Sequence, residues 1–235
     1  MKNVVLIGFP KSATTTLDKA FLSVGYNSYH HHAYLATKDN QSNMDKRAYA
    51  YDLVLTDDLP LGYLSELLYS SYKENGNPYS IFDDCKPYAL TQIDSNFSHI
   101  SLWPQLDYQL LVNGLERNDS VYYILNYRDP QSLADSMMRW KNGEWLDNLV
   151  KSDVPGLSVG SGKDIDKLVK WINNHYNKCR DLFYGNERFL EVDINSDNFR
   201  YDVEKFLGIT FNWWGVANKN LIVEPEDTNI KMKYS

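Results

Sequence analysis

Residues 3–17 read Asn3-Val4-Val5-Leu6-Ile7-Gly8-Phe9-Pro10-Lys11-Ser12-Ala13-Thr14-Thr15-Thr16-Leu17. The stretch from Asn3 to Gly8 is a short apolar run ending in glycine. A run of this length bounded by a turn predicts a strand buried on both faces of a parallel sheet. Beyond it, Leu17, Ala20, Phe21 and Val24 recur at helical spacing from Thr14 onward, and Gly25 stops the helix. Between strand and helix stands a loop with one lysine and the hydroxyls of Ser12, Thr14, Thr15 and Thr16. The first N–H groups of a helix have no intrahelical partner, and the helix dipole adds about half a positive charge there. Such a junction binds anions. An ATPase or kinase loop would read G-x-x-x-x-G-K-[ST]. Counted from Gly8, its Gly-Lys positions fall on Ala13 and Thr14, and the lysine comes earlier, at Lys11. The plainest alternative is a strand–helix turn with Ser/Thr caps.

Outward from this loop, strands and helices alternate. Residues 26–31 predict a second strand running into His30, His31 and His32, and residues 36–43 a polar loop. Residues 59–72 have helical spacing, broken by Gly76-Asn77-Pro78. A strand over 88–93 closes at Asp94, and a helix over 104–115 has Pro104 in its tolerant first turn. A strand over 121–125 precedes a helix over 130–140. Residues 141–162, rich in Gly, Ser and Asp, read as an irregular insertion with the character of a mobile lid. Helix follows over 163–183, then a strand over 188–192, a helix to about 207 and a patternless tail over 209–235. The order predicts an α/β fold, a parallel sheet covered on both faces. One domain spans 1–235, with acceptor-side insertions at 36–80 and 141–162.

The second informative stretch is Val121–Trp140, VYYILNYRDPQSLADSMMRW. Its strand ends in the turn Arg128-Asp129-Pro130, and Ser136 lies eight residues beyond Arg128 on the next helix. That spacing lets a guanidinium fork and a hydroxyl reach one phosphate, and arginine suits the task because it binds bidentately and stays charged. A helix-capping pair plus an unrelated serine is the bland account.

Phe9-Pro10-Lys11-Ser12-Ala13-Thr14-Thr15 resembles the 5′-phosphosulfate loop of sulfotransferases, [FY]-P-K-[SA]-G-T-T, with Ala13 in place of the glycine. Alanine there should keep the backbone away from strongly positive φ. Thr16 stands where an aromatic often follows the threonines, so adenine stacking would come from elsewhere. Arg128 and Ser136 resemble the family's 3′-phosphate motif. Phe189–Ile194, the run Phe206-Leu207-Gly208-Ile209 and Asn218-Lys219-Asn220 are weaker echoes of its last strand, helix end and late Asn-Lys segment. The resemblance implies a three-layer sandwich of P-loop NTPase-like sulfotransferase fold. It also implies transfer of a sulfonate from 3′-phosphoadenosine 5′-phosphosulfate (PAPS) to a hydroxyl or amine, leaving 3′-phosphoadenosine 5′-phosphate (PAP), with no metal. Pro10, Lys11, Ser12, Ala13, Thr14, Thr15 and Thr16 would then hold the donor's 5′ end, Arg128 and Ser136 its 3′-phosphate, and Lys219 would close over the nucleotide.

Lys11 would also stabilise charge on the transferring group. For the base, His31 and Asp94 are rivals, since both follow strands at the same edge of the sheet. A P-loop nucleotide or small-molecule kinase is the alternative enzyme, and a non-catalytic protein that binds PAP is the alternative outside enzymes.

Composition narrows the partners. A net charge of −7 without a basic run gives nucleic acid no electrostatic footing. Cys85 and Cys179 make neither a disulfide framework nor a metal motif. The first strand begins at residue 3 and no apolar run reaches about 18 residues, so a cytoplasmic protein without membrane attachment is expected. The acceptor would be a small molecule or a carbohydrate.

Overall fold

The computed structural model describes residues 1–34, 61–97 and 100–217. Nine strands and seven α-helices lie among them. The strands are β1 (Asn3–Leu6), β2 (Asn27–His30), β3 (His32–Tyr34), β4 (Leu61–Tyr63), β5 (Tyr88–Gln92), β6 (Ser95–Phe97), β7 (Ile100–Leu102), β8 (Val121–Tyr127) and β9 (Phe189–Asp193). The helices are α1 (Thr14–Leu22), α2 (Leu64–Asn75), α3 (Tyr108–Glu116), α4 (Pro130–Arg139), α5 (Glu144–Lys151), α6 (Ile165–Leu182) and α7 (Phe199–Leu207).

The main sheet runs β4-β3-β2-β5-β1-β8-β9, its last five strands parallel and β3 and β4 antiparallel at one edge. β6 and β7 make a separate hairpin. Side chains alternate across a strand, and β1 uses both sides. Val4 and Leu6 join a core with Leu17, Ala20 and Phe21 of α1 and Val203 and Leu207 of α7. Val5 and Ile7 join the larger core formed with α2, α3, α4, α5 and α6. The result is the three-layer α/β architecture expected from the sequence.

β1 lies between β5 and β8, yet the chain leaves it through α1 for β2, beyond β5. It later returns across β1, from β5 to β8. Connections therefore diverge at the carboxyl end of β1, where open α/β sheets leave a crevice for ligands. Residues 7–13 emerge into that crevice.

Two segments depart from the sequence reading. Helix α5 occupies the middle of residues 141–162, and Trp145, Leu146 and Leu149 pack into the larger core. Three apolar residues on one face outweigh the Gly, Ser and Asp that flank them. Residues 144–151 are a core helix, whereas residues 152–164 are irregular as expected and hold only the isolated bridge between Val154 and Leu157. The helix expected over 59–72 is α2, beginning at Leu64 after β4. The polar stretch 36–43 and much of the 36–80 insertion lie outside the described residues.

Candidate anion-binding site

The loop after β1 is built by side chains from distant elements. Asn126, at the end of β8 and fully buried, accepts from the Gly8 N–H at 3.0 Å. Its Nδ2 donates to the Ser12 carbonyl at 2.6 Å and to Ser12 Oγ at 2.7 Å. A Cβ at Gly8 would fall 2.5 Å from Asn126 Oδ1, so only glycine allows this approach. Ser12 Oγ donates in turn to the Phe9 carbonyl. From α6, His175 Nε2 donates to the Ile7 carbonyl at 2.7 Å. Burial holds His175 down at about 4, so its ring is neutral and Nε2 carries the hydrogen.

Lys11 and Ala13 both take left-handed backbone, at φ 71° and φ 61°. The expectation that Ala13 would avoid positive φ is therefore corrected. The turn that brings Thr14 to the start of α1 requires the left-handed bend whichever residue fills it. Ala13 is also the N-cap of α1 and offers no side-chain acceptor to the first turn.

Two cations meet over this turn. Arg128 Nη1 donates to the Lys11 carbonyl at 2.7 Å, and Arg128 Nε is buried with no hydrogen-bond partner among the described residues. Burial, and then the charge of Arg128, lower the Lys11 ammonium below its ordinary value. Burial, and then Arg139, lower Arg128. Lys11 Nζ sits 4.9 Å from the centre of the Trp140 ring. Asp129 fixes Arg128 by capping α4, accepting from the Ser132 N–H at 2.9 Å, with Pro130 in the first turn. Ser136 is buried on the same helix.

The third wall comes from β2 and β5. Thr14 Oγ1 donates to Gln92 Oε1 at 3.4 Å, Gln92 Nε2 donates to Asp94 Oδ2 at 3.2 Å, and Gln105 Nε2 donates to Asp94 Oδ1 at 3.0 Å. Asp94 is only 2% exposed, and burial raises it to about 7 against the pull of both amides. It reaches the loop through Gln92. Thr15 Oγ1 lies 3.5 Å from His30 Nε2, and His30 Nδ1 lies 3.2 Å from Thr91 Oγ1. His30 is thus brought to a loop hydroxyl. His31 sits at φ 64° with its ring 4.4 Å from that of His30.

Pro10 and Ser12 are buried in the turn, and the Ser12 hydroxyl is engaged by Phe9 and Asn126. The Thr16 hydroxyl accepts from the Ala217 N–H at 3.1 Å, which joins it to the C-terminal segment. Lys219 lies outside the described residues. Lys11, Thr14, Thr15, Arg128, His30 and Asp94 therefore belong to one neighbourhood. Asn126, Gln92, Gln105 and His175 complete it and went unread in the sequence. The one available signal was polar side chains at the carboxyl ends of β5 and β8, where the crevice lies.

No family model matches the chain, and no curated protein matches it. Among solved structures, a gluconokinase from Sinorhizobium meliloti 1021 overlays with a TM-score of 0.41 at 12% identity, covering 88% of this chain and 91% of that one. Similarity at that level carries no argument about what this chain binds. Among the described residues no helix is long and apolar enough to cross a membrane.

Proposed function

We propose that this protein is a sulfotransferase that takes PAPS as donor and transfers the sulfonate to a hydroxyl or amine of a small-molecule or carbohydrate acceptor. The observation that carries the reading is the pairing of Lys11 and Arg128. A loop with Thr14 where an ATPase carries lysine brings its own lysine beside an arginine whose Nε is buried without a partner among the described residues. Burying a guanidinium N–H without an acceptor is costly, and an anion would relieve it. A lysine lowered by burial and by the arginine beside it suits a ligand with more than one anionic group.

In this reading Lys11, Thr14, Thr15 and the first N–H groups of α1 hold the 5′ end of the donor, and Arg128 with Ser136 the 3′-phosphate. Transfer breaks the bond from sulfur to the phosphate oxygen and forms one from sulfur to the acceptor atom. The acceptor's proton passes to a base, and Lys11 offsets charge on the leaving oxygen. His30 joins His31 and Asp94 as a candidate for that base through its place beside Thr15.

A P-loop kinase is the second reading. Thr14 shares the Gln92 amide with Asp94, and a loop hydroxyl near a carboxylate at a strand end is the pair that holds Mg²⁺ in P-loop NTPases. Calorimetric titration with PAP and with ATP plus Mg²⁺ separates the two. The sulfotransferase reading expects micromolar PAP binding, weakened at least tenfold in Arg128→Ala, and PAPS turnover lost in Lys11→Ala. Preference for ATP with Mg²⁺ moves the kinase to first place. PAP binding without transfer to any acceptor identifies a binding protein.

A further inference from the structure

We propose that Gln92 is a positioning residue that couples the phosphate loop to Asp94, so that an anion arriving at the loop draws a proton onto the Asp94 carboxylate. The inference rests on residues 8–16 being an anion site, and does not require that the anion be PAPS.

Thr14, Gln92, Asp94 and Gln105 form one buried chain of hydrogen bonds, each residue at most 5% exposed. As it stands, the Thr14 hydroxyl donates to Gln92 Oε1, and the Gln92 and Gln105 amides donate to the two oxygens of Asp94. Every donor is directed toward the carboxylate, which is the arrangement of an ionised acid. The Thr14 contact is long, 3.4 Å, against an ordinary hydroxyl bond of about 2.7–2.8 Å.

An oxyanion above the loop accepts from a hydroxyl more strongly than an amide carbonyl does. When Thr14 turns its hydrogen to the anion, Gln92 Oε1 loses its donor inside the protein, and an unpaired buried acceptor is unfavourable. One rearrangement restores a partner to Thr14, Gln92 and Asp94, while Gln105 Oε1 is buried without a partner among the described residues in either arrangement. The Gln92 amide turns end for end, Nε2 donates to Thr14 Oγ1, and Oε1 accepts from a protonated Asp94. The proton comes from solvent or buffer, the O–H bond on Asp94 is the only bond formed, and no electrons move. The Thr14–Gln92–Asp94 chain thus has two states that differ by one proton, and the anion favours the protonated one. The added negative charge acts in the same direction.

The other ionisable groups near this end of the sheet include Asp18 of α1, whose carboxylate accepts from Ser28 and Thr91, His30 at the end of β2, His31 after it, Lys11 in the loop and Arg128 after β8. Asp94 itself is bonded by the amides of Gln92 and Gln105. His30 lies beside Thr15 and could gain a proton for its own reasons, so it needs a control.

The test is calorimetry on the full chain with inorganic pyrophosphate and, separately, with PAP, at pH 6 and pH 8 in buffers of different ionisation enthalpy. Dependence of the heat on the buffer counts the protons. With the free carboxylate titrating at about 7, uptake should be roughly a tenth of a proton at pH 6 and at least about half a proton at pH 8. It should vanish in Asp94→Asn, fall severalfold in Gln92→Leu and Thr14→Val, and persist in His30→Gln. Anion binding without uptake at pH 8, uptake that survives Asp94→Asn, or failure of both anions to bind overturns the relay. Pyrophosphate binding with uptake while PAP does not bind supports the relay and sinks the sulfotransferase reading. PAP binding without uptake does the reverse.

Discussion

Ala13 sits at φ 61°, ψ 20°, where an L-residue with a Cβ pays about 1–2 kcal/mol relative to ordinary backbone. Glycine would remove that strain, although its freer unfolded chain returns about 0.4–1 kcal/mol of the gain. Ala13→Gly should therefore raise stability by about 0.5–1 kcal/mol and Tm by about 2 °C. Thermal unfolding of the two proteins checks this, and an unchanged or lower Tm would mean that the bend is not strained. Single residues also mark where sequence reading ran out. Gly8, Lys11 and Arg128 were legible because spacing alone set them at strand–helix junctions. Asn126 was not, since one asparagine ending a strand looks the same whether it faces solvent or clamps a loop 118 residues away. His30 and His31 are neighbours of identical type, and it is His30, the last residue of β2, whose ring lies beside Thr15.

At the level of elements, the parallel strands and their covering helices were readable because β1, β5 and β8 each centre on a short apolar run and α1 and α6 keep a 3.6-residue period. Helix α5 was hidden, being eight residues long between glycine-rich flanks. Its place in the core has a measurable consequence. Leu146 is fully buried, so Leu146→Ala should cost about 2–4 kcal/mol in denaturant unfolding. A surface insertion would give a change within about 0.5 kcal/mol. Strands β3, β4, β6 and β7 escaped the reading because they are only three residues long and owe their existence to pairing partners elsewhere in the chain.

Across the whole molecule, two buried titrating groups act on stability with opposite sign. Asp94 is raised from 3.8 to about 7, so between those values the folded state holds a proton that the unfolded state has lost, and stability falls as pH rises. His175 is lowered from 6.5 to about 4, so there the unfolded state holds the extra proton, and stability rises with pH. The two slopes, each about 1.4 kcal/mol per pH unit at most, oppose each other between about pH 4 and pH 6.5. Relative to the parent chain, Asp94→Asn should lose stability on acidification over that range and His175→Gln should gain it. Denaturant midpoints at pH 4.5, 5.5 and 6.5 would show the divergence, and parallel curves would show that neither group is perturbed as described. The loop itself has its Ile7, Lys11 and Ser12 carbonyls already claimed by His175, Arg128 and Asn126. Loop backbone held from three sides has little left to rearrange, and the turn of Gln92 is confined to side chains, so capture should show no slow closing of the loop. In stopped-flow mixing the observed rate should climb linearly with anion concentration, with no plateau from a slow closing step.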